Sequence, residues 1–339
     1  MKTAMLWHNE KNSIRCDLCA RRCLIAEGRS GVCLVRKNIK NILYSLNYGK
    51  IIAMNPDHIE KKPLFHFLPG TKAFSIASAG CNFACAYCCN WEISQVYWDT
   101  KNAGNTGKDV AGEDYTPKDI VDLAVKNECK SISYTYTEPT IFFEFAHDTM
   151  QLAKKAGLKN TFVTNGYMTP EAAKKAKCLD AATVNFKASA DAEFYRKYAL
   201  VPRVEPIFES IKAMKKAGIF LEITNLVVPK YGDNAEDFKT LAKWIVDELG
   251  PETPFHILRF FASYKVAWPE TPLATLEKFY AIAKRAGLNY VYLGNVGARE
   301  NTECPECGEL LIDRSGLDVR MNLKNGACPK CGRKMPVMN

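Results

Sequence analysis

Between residues 72 and 295 the chain alternates short apolar runs with longer amphipathic stretches, and this rhythm restricts its folding more than any other feature. The candidate strands are AFSIAS (73–78), SISYTY (131–136), NTFVTN (160–165), AATVNFKA (181–188), IFLEITNLVV (219–228), FHILRFF (255–261) and YVYLG (290–294). Helix-like segments lie between them: TPKDIVDLAVKNE, IFFEFAHDTMQLAKKAG, PIFESIKAMKKAG, AEDFKTLAKWIVDELG and TPLATLEKFYAIAKRAG. Several open with Thr-Pro or close with Gly, as helix ends do. Strands joined through helices of this length pair in parallel with right-handed crossovers. The rhythm therefore predicts an α/β fold, a partial (β/α)6 TIM-like barrel. A doubly wound open sheet is the alternative, disfavoured because no Gly-rich dinucleotide fingerprint follows the first strand. In β/α barrels the chemistry gathers at the carboxyl ends of the strands, so functional residues are sought in the loops that follow them.

The rest of the organisation comes from fourteen cysteines. They are too many for core filling, and their clustering at ligand spacings points to metal rather than disulfides in a reducing compartment. Residues 1–71 form a Cys-rich extension in which Gly49, within YSLNYGKIIAMN, suggests a hairpin. Residues 72–299 form the core, and residues 300–339 a small C-terminal module. Cys129 and Cys178 stand alone and are expected to be buried, inert thiols. No apolar run of about 18 residues is present and the start lacks a secretory apolar stretch, so a cytoplasmic protein with no membrane association is expected. The formal charge of +9 invites a nucleic-acid partner. Counting thiolates bound to metal lowers the balance to roughly +4, and the lysines are spread along helices, which argues against that class.

Immediately after the first candidate strand comes Gly80-Cys81-Asn82-Phe83-Ala84-Cys85-Ala86-Tyr87-Cys88, a CxxxCxxC loop. A cubane iron–sulfur cluster wants four thiolates, one per iron. Three on one loop leave one iron without a protein ligand, able to chelate the amino and carboxylate groups of S-adenosylmethionine (SAM). The alternative is an ordinary cluster completed by Cys89 or a distant cysteine, but adjacent side chains such as Cys88 and Cys89 rarely reach two irons of one cubane without strain.

This loop, with aromatic Tyr87 before its last cysteine, resembles that of the radical SAM superfamily. The stretch AGCNFACAYCCNWEISQ, with KKPLFHFLPG before it, is similar to the radical SAM component of the AmmeMemoRadiSam system, a relative of the pyruvate formate-lyase activating enzymes. The resemblance implies a 4Fe-4S cluster on Cys81, Cys85 and Cys88 that reductively cleaves SAM to give a 5′-deoxyadenosyl radical, which removes a hydrogen atom from substrate. It assigns Glu138, in Tyr136-Thr137-Glu138-Pro139, to the SAM amino group. Thr164 and Asn165, in Thr-Asn-Gly, line the SAM site, Lys187 meets the SAM carboxylate, and His256 lies near the ribose. In such enzymes two aspartates help hold a monovalent cation beside SAM; Val163 and Asn185 occupy those positions here, so that cation site is expected to be weakened or absent. A flavodoxin or ferredoxin-type electron donor is implied. The substrate is either a glycyl-radical enzyme partner or a small molecule or other macromolecule. A non-catalytic iron–sulfur and zinc module is the contrasting class, and it predicts a fully thiolate-ligated cluster without SAM turnover.

Two further cysteine sets remain. Cys304-x-x-Cys307 and Cys328-x-x-Cys331 form two CPxCG knuckles 20 residues apart, the pattern of a four-thiolate zinc-ribbon or rubredoxin-like site, with zinc expected ahead of iron. A segment of some 35 residues cannot build enough core alone, so metal binding would supply its folding free energy. Cys16-x-x-Cys19-x-x-x-Cys23 and Cys33 suit zinc, a second 4Fe-4S cluster or a ligand set shared with another segment, with zinc slightly ahead on spacing alone.

Overall fold

The computed structural model describes residues 1–96, 110–316 and 318–338. Its centre is one eight-stranded sheet, whose strands we number β1 (Ala53–His58), β2 (Lys72–Ala77), β3 (Ser131–Tyr134), β4 (Lys159–Thr164), β5 (Ala181–Lys187), β6 (Phe220–Val227), β7 (Phe255–Arg259) and β8 (Val291–Gly294). They lie side by side in chain order, β2 to β8 all parallel and β1 antiparallel to β2 at one edge. Sequential order excludes the doubly wound alternative, which requires a reversal. The sheet does not close into a full barrel: β1 and β8 are edges that do not pair.

The intervening helices form where the sequence marks them. Pro117–Lys126 opens with a capping box, the Thr116 hydroxyl accepting from the Asp119 amide while the Asp119 carboxylate accepts from the Thr116 amide. Asn234 caps Ala235–Leu249 in the same sense. One face of each helix is buried against the sheet, as Ile120, Val121 and Ala124 are in the first. The strands are covered on both faces; every residue of β3 is buried, so they read as apolar runs rather than alternations.

The expected boundaries shift in two places. β1 lies within the segment assigned to the extension, yet it is part of the main sheet, in register Ala53↔Ala77 to His58↔Lys72. The extension also shares the main core, since Ile14, Leu18, Ile25, Val35 and Leu43 pack in one cluster with Ile141 and Phe145. The expected hairpin is displaced: Lys50–Ile51 pairs with Glu113–Asp114, while Arg36–Ile39 and Ile42–Ser45 make the hairpin. Its turn is Lys40-Asn41, both at positive φ (52° and 59°), the two-residue geometry that matches strand twist.

Residues 59–68 run across the amino ends of the strands. Thr183 donates to the Lys62 carbonyl (2.6 Å), and the His66 amide donates to Glu222 (2.8 Å). The C-terminal module docks at this end through Phe65, Tyr290, Tyr292, Leu311 and Met335. No helix among the described residues is long and apolar enough to cross a membrane.

Candidate functional site

At the opposite end, each strand from β2 to β5 delivers one part of a common site. β2 runs into the cysteine loop through Gly80, whose φ of 98° favours glycine and whose packing is tight: a Cβ would lie 3.3 Å from both the Cys33 carbonyl oxygen and Ile141. Cys81 Sγ accepts from the Phe83 amide (3.4 Å) and Cys88 Sγ lies 3.1 Å from Ser94 Oγ. Burial pushes the thiols of Cys81, Cys85 and Cys88 upward, Cys85 to about 12, and neighbouring thiols add to it, Cys85 and Cys88 acting on Cys81 and Cys88 on Cys85. Three crowded thiols that resist becoming thiolates are reconciled by a positively charged metal core. The Lys187 ammonium, at the end of β5, acts in the opposite direction on Cys85 and Cys88, which places its charge beside that loop. Tyr87 lies beside Cys85 and packs on Phe194. The Cys89 thiol is exposed.

β3 delivers Glu138. Its carboxylate is 1% exposed: Oε1 accepts from the Thr140 amide (3.0 Å), the Thr140 hydroxyl (2.5 Å) and the Thr164 hydroxyl (2.8 Å), and Oε2 accepts from the Asn165 amide (2.8 Å). Burial nevertheless holds its pKa above the ordinary carboxylate value. The turn leading into it is bent, with Tyr136 at φ 62°. β4 delivers Thr164 and Asn165; the Asn165 amide side chain donates to Asn82 in the cysteine loop (2.7 Å), tying the two segments together. Glu138, Thr164, Asn165 and the cysteine loop are thus one assembly. An acidic acceptor, an ammonium and thiols at one end of the sheet form a set complementary to a zwitterionic ligand on a cluster.

His256 is not part of it. It is the second residue of β7, about 10 Å along the strand from the carboxyl end at Arg259. Its Nε2 meets Glu222 Oε2 at 2.7 Å and its ring is edge-on to Phe65. The expectation that it lies near a ribose is corrected: a buried carboxylate on the neighbouring strand holds it at the amino-terminal plug. Asn185 is committed to the sheet, accepting from the Thr224 hydroxyl (2.6 Å) and donating to the Thr164 carbonyl (3.1 Å).

Sequence reasoning missed two parts of the site. Residues 260–268 fold over the cysteine loop: Ser263 donates to the Cys88 carbonyl (3.2 Å), the Lys265 amide to the Ala86 carbonyl (3.0 Å), and Tyr264 stacks on Trp91. Immediately after Lys187, Ala188, Ser189 and Ala190 all have positive φ (47°, 54° and 66°). Left-handed backbone costs about 1–2 kcal/mol per residue, and buried Asn225 holds the turn by accepting from the Ser189 amide (2.8 Å). The only signals were the aromatic run FFASYKVAW and a small-residue triplet, neither of which specifies a conformation.

The outlying sets differ from each other. The C-terminal thiols all lie within 4.8 Å of one another, with Cys304–Cys331 at 3.5 Å and Cys307–Cys328 at 3.6 Å. The knuckle amides Gly308 and Gly332 donate to the carbonyls of Cys304 and Cys328. Cys16, Cys19, Cys23 and Cys33 line one pocket behind the cysteine loop. Of the lone thiols, Cys129 is buried and Cys178 is half-buried.

Residues 75–245 match the radical SAM superfamily, and the chain belongs to it. Membership implies a 4Fe-4S cluster and SAM as cofactors. The chain is 42% identical, over the whole of both proteins, to the uncharacterized protein MJ0808 of Methanocaldococcus jannaschii. Among solved structures it is similar to Streptococcus suis SuiB bound to S-adenosylmethionine (TM-score 0.49, 14% identity, 70% of this chain and 54% of that one). It is also similar to a domain of a pyruvate-formate lyase-activating enzyme from Bacteroides vulgatus (TM-score 0.42, 17% identity, 49% of this chain and 99% of that domain). The chain thus spans about half the length of SuiB.

Proposed function

We propose that this chain is a SAM-cleaving enzyme of the pyruvate formate-lyase activating enzyme type, with Cys81, Cys85 and Cys88 holding a cluster that keeps one iron open. The observation that carries this reading is the convergence of the buried Glu138 carboxylate, Thr164, Asn165 and Lys187 on the cysteine loop. Cluster and SAM together supply a 5′-deoxyadenosyl radical that removes a hydrogen atom from substrate. The protein's part is to orient and protect. Glu138, fixed by Thr140 and Thr164, receives the SAM ammonium; Lys187 faces the carboxylate; residues 260–268 shield the loop from water and stray hydrogen donors.

A polypeptide substrate such as a glycyl-radical enzyme is supported by exposed aromatic groups around this end, Trp91, Tyr231 and Phe261, of the type enriched at protein interfaces. A small molecule entering the same cleft is the alternative. A flavodoxin or ferredoxin-type protein would deliver the electron, as in the radical SAM component of the AmmeMemoRadiSam system that the sequence resembles, and zinc would occupy the C-terminal tetrad, as its paired CPxCG knuckles and close thiols suit. The test is anaerobic reconstitution with iron and sulfide, then dithionite and SAM. 5′-Deoxyadenosine should form with wild type and not with Cys85→Ala. Its absence from a fully reconstituted wild-type protein overturns the reading.

A further inference from the structure

The N-terminal cysteines have no role in the function just proposed, and their geometry speaks to what they bind. A zinc ion holds four thiolates about 3.8 Å apart, since Zn–S bonds of about 2.3 Å meet at the tetrahedral angle. A cubane, whose thiolates cap the corners of an iron–sulfide cube, spreads them well beyond that. The chain contains its own standards for both. The C-terminal tetrad is contracted to zinc-like separations, and among the described residues it is the one group of three or more Cys, His, Asp or Glu ligand atoms within 4.8 Å of each other. The Cys81, Cys85 and Cys88 triad, which superfamily membership assigns to a cubane, is wider. Cys16, Cys19, Cys23 and Cys33 line a single pocket, and no three of their sulfurs lie mutually within 4.8 Å either.

A second observation points into that pocket. Arg36, on its wall, is 2% exposed. Its terminal nitrogens are engaged by Glu144 (2.7 Å) and the Met5 carbonyl (2.6 Å), but its buried Nε–H has no partner. Orphaned buried donors are rare and costly. The Val32 amide already donates to Cys23 Sγ (3.4 Å), and N–H groups directed at sulfur are a usual feature of iron–sulfur sites.

We propose that Cys16, Cys19, Cys23 and Cys33 hold a second 4Fe-4S cluster, with the Arg36 Nε–H directed at its sulfur. All four irons carry a thiolate, so this cluster does not chelate SAM. It lies directly behind the first: the Cys33 carbonyl packs on Gly80, next to Cys81, and Arg21, on the same pocket wall, donates to the Asn82 carbonyl (3.0 Å).

The test uses the full chain with Cys81, Cys85 and Cys88 all changed to Ala, reconstituted anaerobically, with iron and acid-labile sulfide counted per chain. Wild type should hold about eight of each inorganic ion in clusters and the triple variant about four, with an electron paramagnetic resonance signal that ignores SAM. Neither zinc nor a single iron at the C-terminal tetrad contributes sulfide. A triple variant that folds but carries no sulfide overturns the proposal. If that variant does not fold, Cys16→Ser/Cys19→Ser in the native background should lower sulfide from about eight to about four while leaving a SAM-responsive signal; unchanged sulfide overturns it. Four sulfides in both wild type and triple variant would instead leave this site standing and refute the Cys81 cluster.

Discussion

Replacing Glu138 by Gln is the most direct probe of the site, because the variant keeps the shape of the side chain and changes only its hydrogen-bonding logic. Three donors converge on Oε1 and one, the Asn165 amide, on Oε2. With the Gln carbonyl turned toward the three donors, its NH2 group faces the Asn165 N–H, two donors nose to nose. One charge-assisted bond is lost, worth about 1.5–3 kcal/mol, and each buried donor left unpaired costs about 1–3 kcal/mol. The three remaining bonds lose charge assistance, which roughly halves them. The Thr-Asn-Gly segment must therefore move or lose order, and the SAM ammonium loses its ionic partner. Loss of that ion pair alone, at about 3 kcal/mol, corresponds to a rise of about 100-fold in the SAM dissociation constant.

The assay is equilibrium binding of SAM to the reconstituted protein, followed through the change in the cluster's resonance signal, with iron content measured in parallel. Glu138→Gln should keep its iron and bind SAM at least about 100-fold more weakly, and Glu138→Asp should fall between. Binding within threefold of wild type would show that the carboxylate serves only to cap the turn at Thr140, and the assignment of the SAM amino group to Glu138 would have to be abandoned.

Asn185 already bridges β4 and β6, its Nδ2 donating to the Thr164 carbonyl, so SAM cleavage should be indifferent to potassium at fixed ionic strength. Asn185→Asp sets a carboxylate against that carbonyl and should slow turnover until potassium is added; a steep potassium dependence in wild type would contradict this reading. His66 is buried against Tyr292 and the Pro336 carbonyl, and burial lowers its pKa from 6.5 to about 4. The unfolded chain then takes up the proton first, so the stability His66 contributes is complete above about pH 6.5. It is lost as pH falls toward 4, by about 3 kcal/mol in all. Urea midpoints at pH 7 and pH 4.5 should diverge in wild type and less in His66→Asn; equal divergence would refute it. Cys304→Ser/Cys328→Ser should remove one equivalent of bound metal and release residues 300–338 to protease while 5′-deoxyadenosine formation persists in the intact chain, as metal analysis and limited proteolysis would show.

The parallel strands were legible because burial on both faces turns them into uninterrupted apolar runs, and the helices because their caps are local. β1 was not: AMNPDH carries Pro56 and three polar residues, a composition tolerated only at a sheet edge. Edge position follows from tertiary pairing with β2, which no local pattern records. The same division explains the site. Glu138, Thr164, Asn165 and Lys187 could be assigned to one end of the sheet because each sits at or shortly after the carboxyl end of a strand, a position that a one-dimensional pattern fixes. His256 was misplaced because periodicity tells which way a strand residue points but not at what depth along the strand its partner waits; Glu222, two residues into β6, decides that. The N-terminal metal was undecidable for a related reason. Spacing along the chain constrains Cys16, Cys19 and Cys23, but the fourth cysteine of the set, Cys33, is carried in by the hairpin at Arg36–Ser45 and seated on Gly80. The distance between sulfurs, which separates a single ion from a cubane, is therefore set by how two distant segments pack.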